Sequence, residues 1–261
     1  MGRSSIRQQN KLISPSVNKI DFDFKNFVSP RSSITKDRLL LVGNASLKRQ
    51  MGSKVDAFSG DIGRFNRFQE GYESYLGTRT THWVFSNNLL FDGRQYVYRN
   101  LDRIRECHPG IKPVLVTTIN RAEELVEKED KIKSGKNIEV MNTIAITKIL
   151  ASLTNQYIQQ NGKLIIPDHP FLQKNRYIKP ATGLLAIIYG VLNYKEVFIH
   201  NFDFFRSDHY WSEKPGYGED DSDGKWFKGI DVDKAIGHHE YLFEEIVINQ
   251  MVREGLVKWF K

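Results

Sequence analysis

Two histidines in the last quarter of the chain, His209 and His239, are the side chains best suited to moving a proton near neutral pH. His239 stands just ahead of an amphipathic stretch that predicts a helix over Glu240–Glu254, with Leu242, Phe243, Ile246, Val247 and Met251 on its apolar face. A helix N-terminus disfavours an imidazolium, which keeps such a ring neutral and able to accept a proton. Glu244 follows one and a half turns along, too far round a helix to touch His239 directly. The pair does not match the H-E-x-x-H spacing of a zinc site. His209 and Tyr210 fall in a glycine-rich loop, 203–237, of a length that is usually functional or disordered. The plainer alternatives stay open at this point: water-exposed histidines and a solvated helix glutamate.

A second group of residues suits an anionic ligand. Leu39-Leu40-Leu41-Val42 ends in Gly43-Asn44, where a glycine at a strand end lets a ligand approach the backbone and Asn44 offers both a donor and an acceptor. Thr182-Gly183 opens an apolar helical stretch, with Thr182 as the expected N-cap, and a helix start favours anions. Neither G-x-G-x-x-G nor G-x-x-x-x-G-K-[ST] occurs, so no dinucleotide or P-loop site is indicated. Asp231-Val232-Asp233 and Asp21-Phe22-Asp23 match the D-x-D pattern of many metal-dependent glycosyltransferases. That pattern is short and common by chance, and no metal or other cofactor is expected.

These residues need elements to hold them. Short apolar runs predict strands at 39–42, 62–65, 82–85, 114–117, 164–167 and 197–199. Residues 121–136 read as a charged helix or loop, and helical spacing predicts helices over Asn142–Gln160, Thr182–Leu192 and Glu240–Glu254. Strands alternating with helices indicate a single Rossmann-like α/β/α sandwich with a mostly parallel central sheet. Ligands in such sheets sit outside the carboxyl ends of the strands. That directs attention to Gly43-Asn44, the loop after Phe65, Thr182-Gly183 and 203–210.

The 261 residues carry 38 Lys and Arg against 31 Asp and Glu, for a net charge of +7. Such a balance suits a nucleotide, a nucleic acid or a membrane surface. The basic excess gathers in residues 1–36, read as an irregular arm preceding a catalytic domain over 37–261. Cys107 is the single cysteine, which excludes an intramolecular disulfide and every multi-cysteine metal site. The first fifteen residues lack the apolar core of a secretory signal, so a cytoplasmic protein is expected, with the arm able to touch an anionic membrane.

The order of the pieces is more specific than any one of them. Leu41-Val42-Gly43-Asn44 is followed by Arg64-Phe65-Asn66, Gly71-Tyr72-Glu73 and Gly77-Thr78-Arg79-Thr80-Thr81. This resembles the long motif of the eukaryotic-type sialyltransferases. Lys179-Pro180-Ala181-Thr182-Gly183 is similar to their short motif, His209-Tyr210-Trp211 to their third motif, and His239 with Glu244 to their very short motif. Neither the long nor the short motif holds the cysteine that pairs them in that family. The N-terminal membrane anchor of its animal members is likewise missing, which suggests a microbial or viral relative.

The resemblance implies a sialyltransferase variant of the GT-A fold and an inverting transfer of sialic acid from CMP-sialic acid to a glycan or glycolipid hydroxyl. It makes His239 the general base and His209 a donor to the leaving phosphate. Gly43, Asn44, Asn66, Thr182, Gly183 and Tyr210 would contact the CMP-sugar donor, and Arg64, Thr80 and Glu244 would support them. A CMP-Kdo-dependent transferase of the same fold is the alternative sugar reading, since both donors are CMP-activated 2-keto acids. A non-catalytic nucleotide- or RNA-binding protein is the other alternative. It predicts salt-sensitive binding without turnover, and no RNA-binding sheet motif or helix-turn-helix supports it.

Overall fold

The computed structural model describes residues 22–24, 31–65, 71–86, 109–116, 139–141, 143–161, 178, 180–204 and 241–261. Their strands are β1 (Lys36–Val42), β2 (Asp61–Phe65), β3 (His82–Ser86), β4 (Lys112–Val116), β5 (Glu139–Val140), β6 (Tyr194–His200) and β7 (Val257–Trp259). The helices are α1 (Gly52–Asp56), α2 (Glu73–Leu76), α3 (Thr143–Asn161), α4 (Thr182–Asn193) and α5 (Tyr241–Arg253). The strands form one sheet in the order β5-β4-β3-β2-β1-β6-β7. Every pairing among them is parallel, in keeping with the expected α/β architecture. No helix among the described residues is long and apolar enough to cross a membrane.

A parallel strand with both faces covered reads as a continuous apolar run, because neither set of alternating side chains meets water. Leu39, Leu40, Leu41 and Val42 are such a run, each at most 2% exposed. Leu39 and Leu41 join Val197 and Ile199 of β6 in a large core with α3, α4 and α5. Leu40 and Val42 face the other way, into a smaller core with Val55, Phe58, Ile62 and Leu76. α4 is apolar on all sides, and Leu184 through Val191 are all buried. A helix without a polar face belongs in the interior, and α4 packs against β1, β3, β4, β6 and α3.

The strands at 36–42 and 194–200 are longer than their apolar runs suggest, since polar residues at their starts still pair: Lys36 with Tyr194 and Arg38 with Glu196. β5 and β7, of two and three residues, carry too little pattern to be read from sequence. Described residues of the segment before residue 37 belong to the fold. Lys36 opens β1, and Phe22 and Phe24 are buried in the large core as an edge-to-face pair with centroids 4.6 Å apart. Gln250 of α5 donates to the Phe22 carbonyl at 2.6 Å and so ties this segment down. The expected strand at 164–167, the segment 121–136 and the acidic run at 219–223 lie outside the described residues.

Polar side chains collect at the amino edge of the sheet, the end remote from Gly43. Lys36 donates to Glu139 at 3.0 Å and to the Tyr189 hydroxyl at 3.1 Å, and that hydroxyl donates to Glu139 at 2.7 Å. Tyr194 donates to Asp61 at 2.9 Å and stands 3.3 Å from His82 Nε2, while Thr81 Oγ1 is 2.8 Å from His82 Nδ1. The network joins the starts of β1, β2, β3, β5 and β6. Burial holds His82 below its ordinary pKa; Asp61 offsets this in part, and Lys36 and Lys112 add to it.

The unfolded chain therefore binds a proton at His82 more readily than the folded chain does, starting near the ordinary value of 6.5. The contribution of neutral His82 is complete above that pH and is lost as pH falls through the lower folded value. Urea midpoints at about pH 7.5 and about pH 5.5 for the wild type and His82→Gln test this. The variant is expected to be less stable at both, but with the smaller drop on acidification; equal drops would show that His82 does not titrate as argued.

Candidate functional site

The sheet order reverses about β1. From β1 the chain proceeds outward through β2 to β5, and β6 then returns to the opposite side of β1. Loops leaving the carboxyl ends of β1 and β6 diverge, and such a switch point is where open α/β sheets bind ligands. Gly43 and Asn44 follow β1 there, and Asn201 and Phe202 follow β6.

The two exits are knitted together. Gly43 N–H donates to the His200 carbonyl at 2.8 Å and Ala45 N–H to the Asn201 carbonyl at 3.2 Å. A β-carbon on Gly43 would lie 2.6 Å from the Asn201 carbonyl oxygen and 2.8 Å from the Phe202 ring, so only glycine fits. The same ring reaches Gly183, where a β-carbon would stand 3.1 Å from it, and meets Phe65 edge-on at 5.7 Å. Phe202 thus brings the Gly43 turn, the end of β2 and the start of α4 around one aromatic ring.

At α4 the N-cap is Ala181 rather than the expected Thr182, and no side chain caps the helix. The physical reason lies opposite. Glu244 of α5 is 4% exposed and accepts the Ala181 N–H at 2.6 Å, so a carboxyl from another helix occupies this entrance. The first-turn amides of Thr182 and Gly183 have no intrahelical acceptor, as at any helix start. The solvated-glutamate alternative is excluded for Glu244. Complete burial pushes its pKa up to about 8, and the Ala181 N–H offsets only part of that.

On the sheet's other face, Arg64 is 8% exposed and works as a bracket. It donates to Thr80 Oγ1 at 2.8 Å and to the carbonyls of Leu76, Gly77 and Arg79 at 2.6, 3.0 and 3.3 Å. Asp56 accepts the N–H groups of Thr78 and Arg79 at 2.8 and 2.7 Å, and Arg79 donates to the Phe58 and Gly60 carbonyls. Thr81 Oγ1 receives the Ile62 N–H at 2.7 Å. In residues 77–81, the side chains of Thr78, Arg79, Thr80 and Thr81 are therefore all engaged in folding this turn against β2.

The structure brings Gly43, Asn44, Thr182 and Gly183 to one edge, ties Glu244 to that edge, and joins Arg64 to Thr80. Asn66, His209, Tyr210 and His239 lie outside the described residues. Sequence reasoning missed Asn201 and Phe202, having ended the strand at Ile199. The available signal was an Asn directly after the strand, a residue type that tolerates the left-handed turn. It also missed His200, a half-buried ring packed near Phe260, which burial holds below its ordinary pKa; its hydrogen bond to the Tyr75 backbone opposes that, and Arg64 adds to it. Among the described residues no three His, Cys, Asp or Glu side chains gather as metal ligands.

No family model and no curated protein matches the chain. Solved structures do. The monofunctional alpha-2,3-sialyltransferase Cst-I from Campylobacter jejuni is similar over 86% of this chain and 74% of its own, at 11% identity and a TM-score of 0.53. A variant of the sialyltransferase CST-II in complex with CMP is similar over 86% of this chain and 80% of its own, at 13% identity and 0.51. A mammalian sialyltransferase in complex with Gal-beta-1-3GalNAc-ortho-nitrophenol covers 90% of this chain and 74% of its own, at 18% identity and 0.48. At such identities the likeness is one of fold: the chain has the fold of the sialyltransferases.

Glu244 is ionised in the unfolded chain above its ordinary value of 4.5 but holds its proton in the folded chain until about 8. Its contribution to stability is complete below the first value and lost as pH rises through the second. Gln at 244 keeps an acceptor for Ala181 but cannot ionise. Relative to the wild type, Glu244→Gln should gain stability by the order of 2 kcal/mol between about pH 6 and about pH 9, read by thermal unfolding. A difference independent of pH would mean that the carboxyl is ionised in the fold.

Proposed function

We propose that the chain is an inverting glycosyltransferase that moves sialic acid from CMP-sialic acid to a glycan hydroxyl, without a metal. The observation that carries this reading is the meeting of the Gly43-Asn44 turn, the end of β2 and the Thr182-Gly183 helix start around Phe202. It occurs at the switch point of a sheet whose fold is shared with sialyltransferases, one of them in complex with CMP.

Each part has a chemical task in that reaction. The leaving group is a phosphate monoester that develops negative charge, and the amides at the start of α4 suit an anion in that place. Gly43 admits a nucleotide to the backbone, and Asn44 reads a base or sugar edge. The buried carboxyl of Glu244 stays protonated at neutral pH, so it holds Ala181 in place without setting a negative charge beside an anionic donor. His239 precedes the first residue of α5 by two positions, and α5 carries Glu244 to the start of α4. A neutral imidazole there takes the proton from the acceptor hydroxyl as it attacks the anomeric carbon. His209 donates to the departing phosphate. The basic residues of the N-terminal segment bring the enzyme to anionic membranes bearing glycolipid acceptors.

The test is CMP release by the purified full chain, offered CMP-sialic acid and CMP-Kdo separately, with and without EDTA. Release from CMP-sialic acid is expected, unchanged by EDTA and reduced about 10²–10⁴-fold in His239→Ala. Release from CMP-Kdo alone would transfer the reading to the other sugar. Absence of release together with absence of CMP binding by calorimetry would overturn it.

A further inference from the structure

We infer that Asn201 is a positioning residue for the nucleotide: its side chain extends the β1–β6 pairing beyond the sheet and so sets the shape of the Gly43–Ala45 turn. The inference rests on the CMP-sugar reading above and adds to it a residue that touches no substrate.

The last paired residues of the two strands are Val42 and His200. Beyond them the chains should separate, because Asn201 takes a left-handed conformation with φ of 56°. That geometry ends a strand, and among residues with a side chain Asn is one of the few that adopts it readily. It would leave the carbonyls of Gly43 and Ala45 without the neighbouring strand. The Asn201 side chain supplies the missing donor. Its Nδ2 donates to the Gly43 carbonyl at 3.2 Å and to the Ala45 carbonyl at 2.7 Å, while the residue's own carbonyl accepts the Ala45 N–H at 3.2 Å. One residue thus pairs with both ends of the turn on which Asn44 sits.

The same left-handed step aims Phe202. Its ring fills the space left by the absent β-carbons of Gly43 and Gly183. Turn and ring are therefore set together by one backbone conformation, and the side chain amide locks the turn half of the pair. A turn held this way is ordered before a ligand arrives, which lowers the cost of binding. An unlocked turn must be ordered by the ligand itself.

Asn201→Gly separates the two roles, because glycine keeps the left-handed conformation and deletes only the amide. Calorimetric CMP binding and donor kinetics on the full chain are the readouts. In the variant the Kd for CMP and the KM for CMP-sialic acid should rise about tenfold, with kcat and acceptor KM within about twofold. Amide hydrogen exchange at Gly43 and Ala45 should quicken while Leu41 and Ile199 keep their protection. A variant that merely loses stability would show a lower Tm and uniformly faster exchange, with the CMP affinity of its folded fraction unchanged, and would overturn the positioning role. Unchanged exchange at Gly43 and Ala45 would also overturn it. If the wild type does not bind CMP, the CMP-sugar reading falls, and the role of Asn201 in nucleotide binding falls with it; the exchange data then still report on the clamp.

Discussion

From Leu39 to Val42, strand β1 is hydrogen-bonded on both sides and buried on both faces, so its backbone has no freedom there. Where the chain leaves that strand, and what it meets on leaving, determines the rest of the carboxyl edge. Parallel pairing sends β1 and β6 out of the sheet in the same direction, and the reversal of strand order makes their continuations part. A crevice at that point is a consequence of topology and would exist with many sequences. What is particular to this one is that the crevice is partly closed again, by an asparagine amide from one side and an aromatic ring lying where two β-carbons are absent.

The second constraint is the meeting of α4 and α5. α4 is apolar throughout and can only lie inside, which buries its N-terminal backbone near other elements. A buried N–H without an acceptor is costly, and here Glu244 supplies the acceptor from α5. Burial raises the carboxyl's pKa, so the contact is made by a neutral group at neutral pH. The arrangement joins the segment containing Thr182-Gly183 to the helix that follows His239, and any ligand at the start of α4 would be felt through one hydrogen bond at α5.

The two edges of the sheet divide the polar residues by task. At the amino edge the charged and hydroxyl groups satisfy one another, with Lys36, Glu139 and Tyr189 in one set and Asp61, His82 and Tyr194 in the other. Such mutual satisfaction stabilises strand starts and leaves little for a ligand. Arg64, reaching back from the end of β2, and residues 77–81, which lead into the start of β3, are likewise used up in holding a turn. The Gly77-Thr78-Arg79-Thr80-Thr81 block is thus scaffold, whereas the plain Gly43-Asn44 turn lies at the crevice.

Much of this was legible in the residues. The four-residue apolar run of β1, the helical spacing of α3 and α5, and the wholly apolar body of α4 are local patterns that burial imposes on sequence, and each element is found within a few residues of its expected place. Gly43 at a strand end was readable for the same reason. The burial of Glu244 was not, because a glutamate on a helix looks the same whether water or Ala181 lies opposite. Phe22 and Phe24 sat in a segment whose basic composition concealed two core side chains, and β5 and β7 are strands only because a neighbour's backbone pairs with them. Asn201 falls between these cases. Its left-handed turn is a local preference, but the two carbonyls its amide reaches are more than 150 residues away in sequence. Sequence alone determined which segments must be buried and roughly where they turn. Only the tertiary structure decided which polar groups those buried segments would meet, since a hydrogen bond between distant residues leaves no periodic trace in either of them.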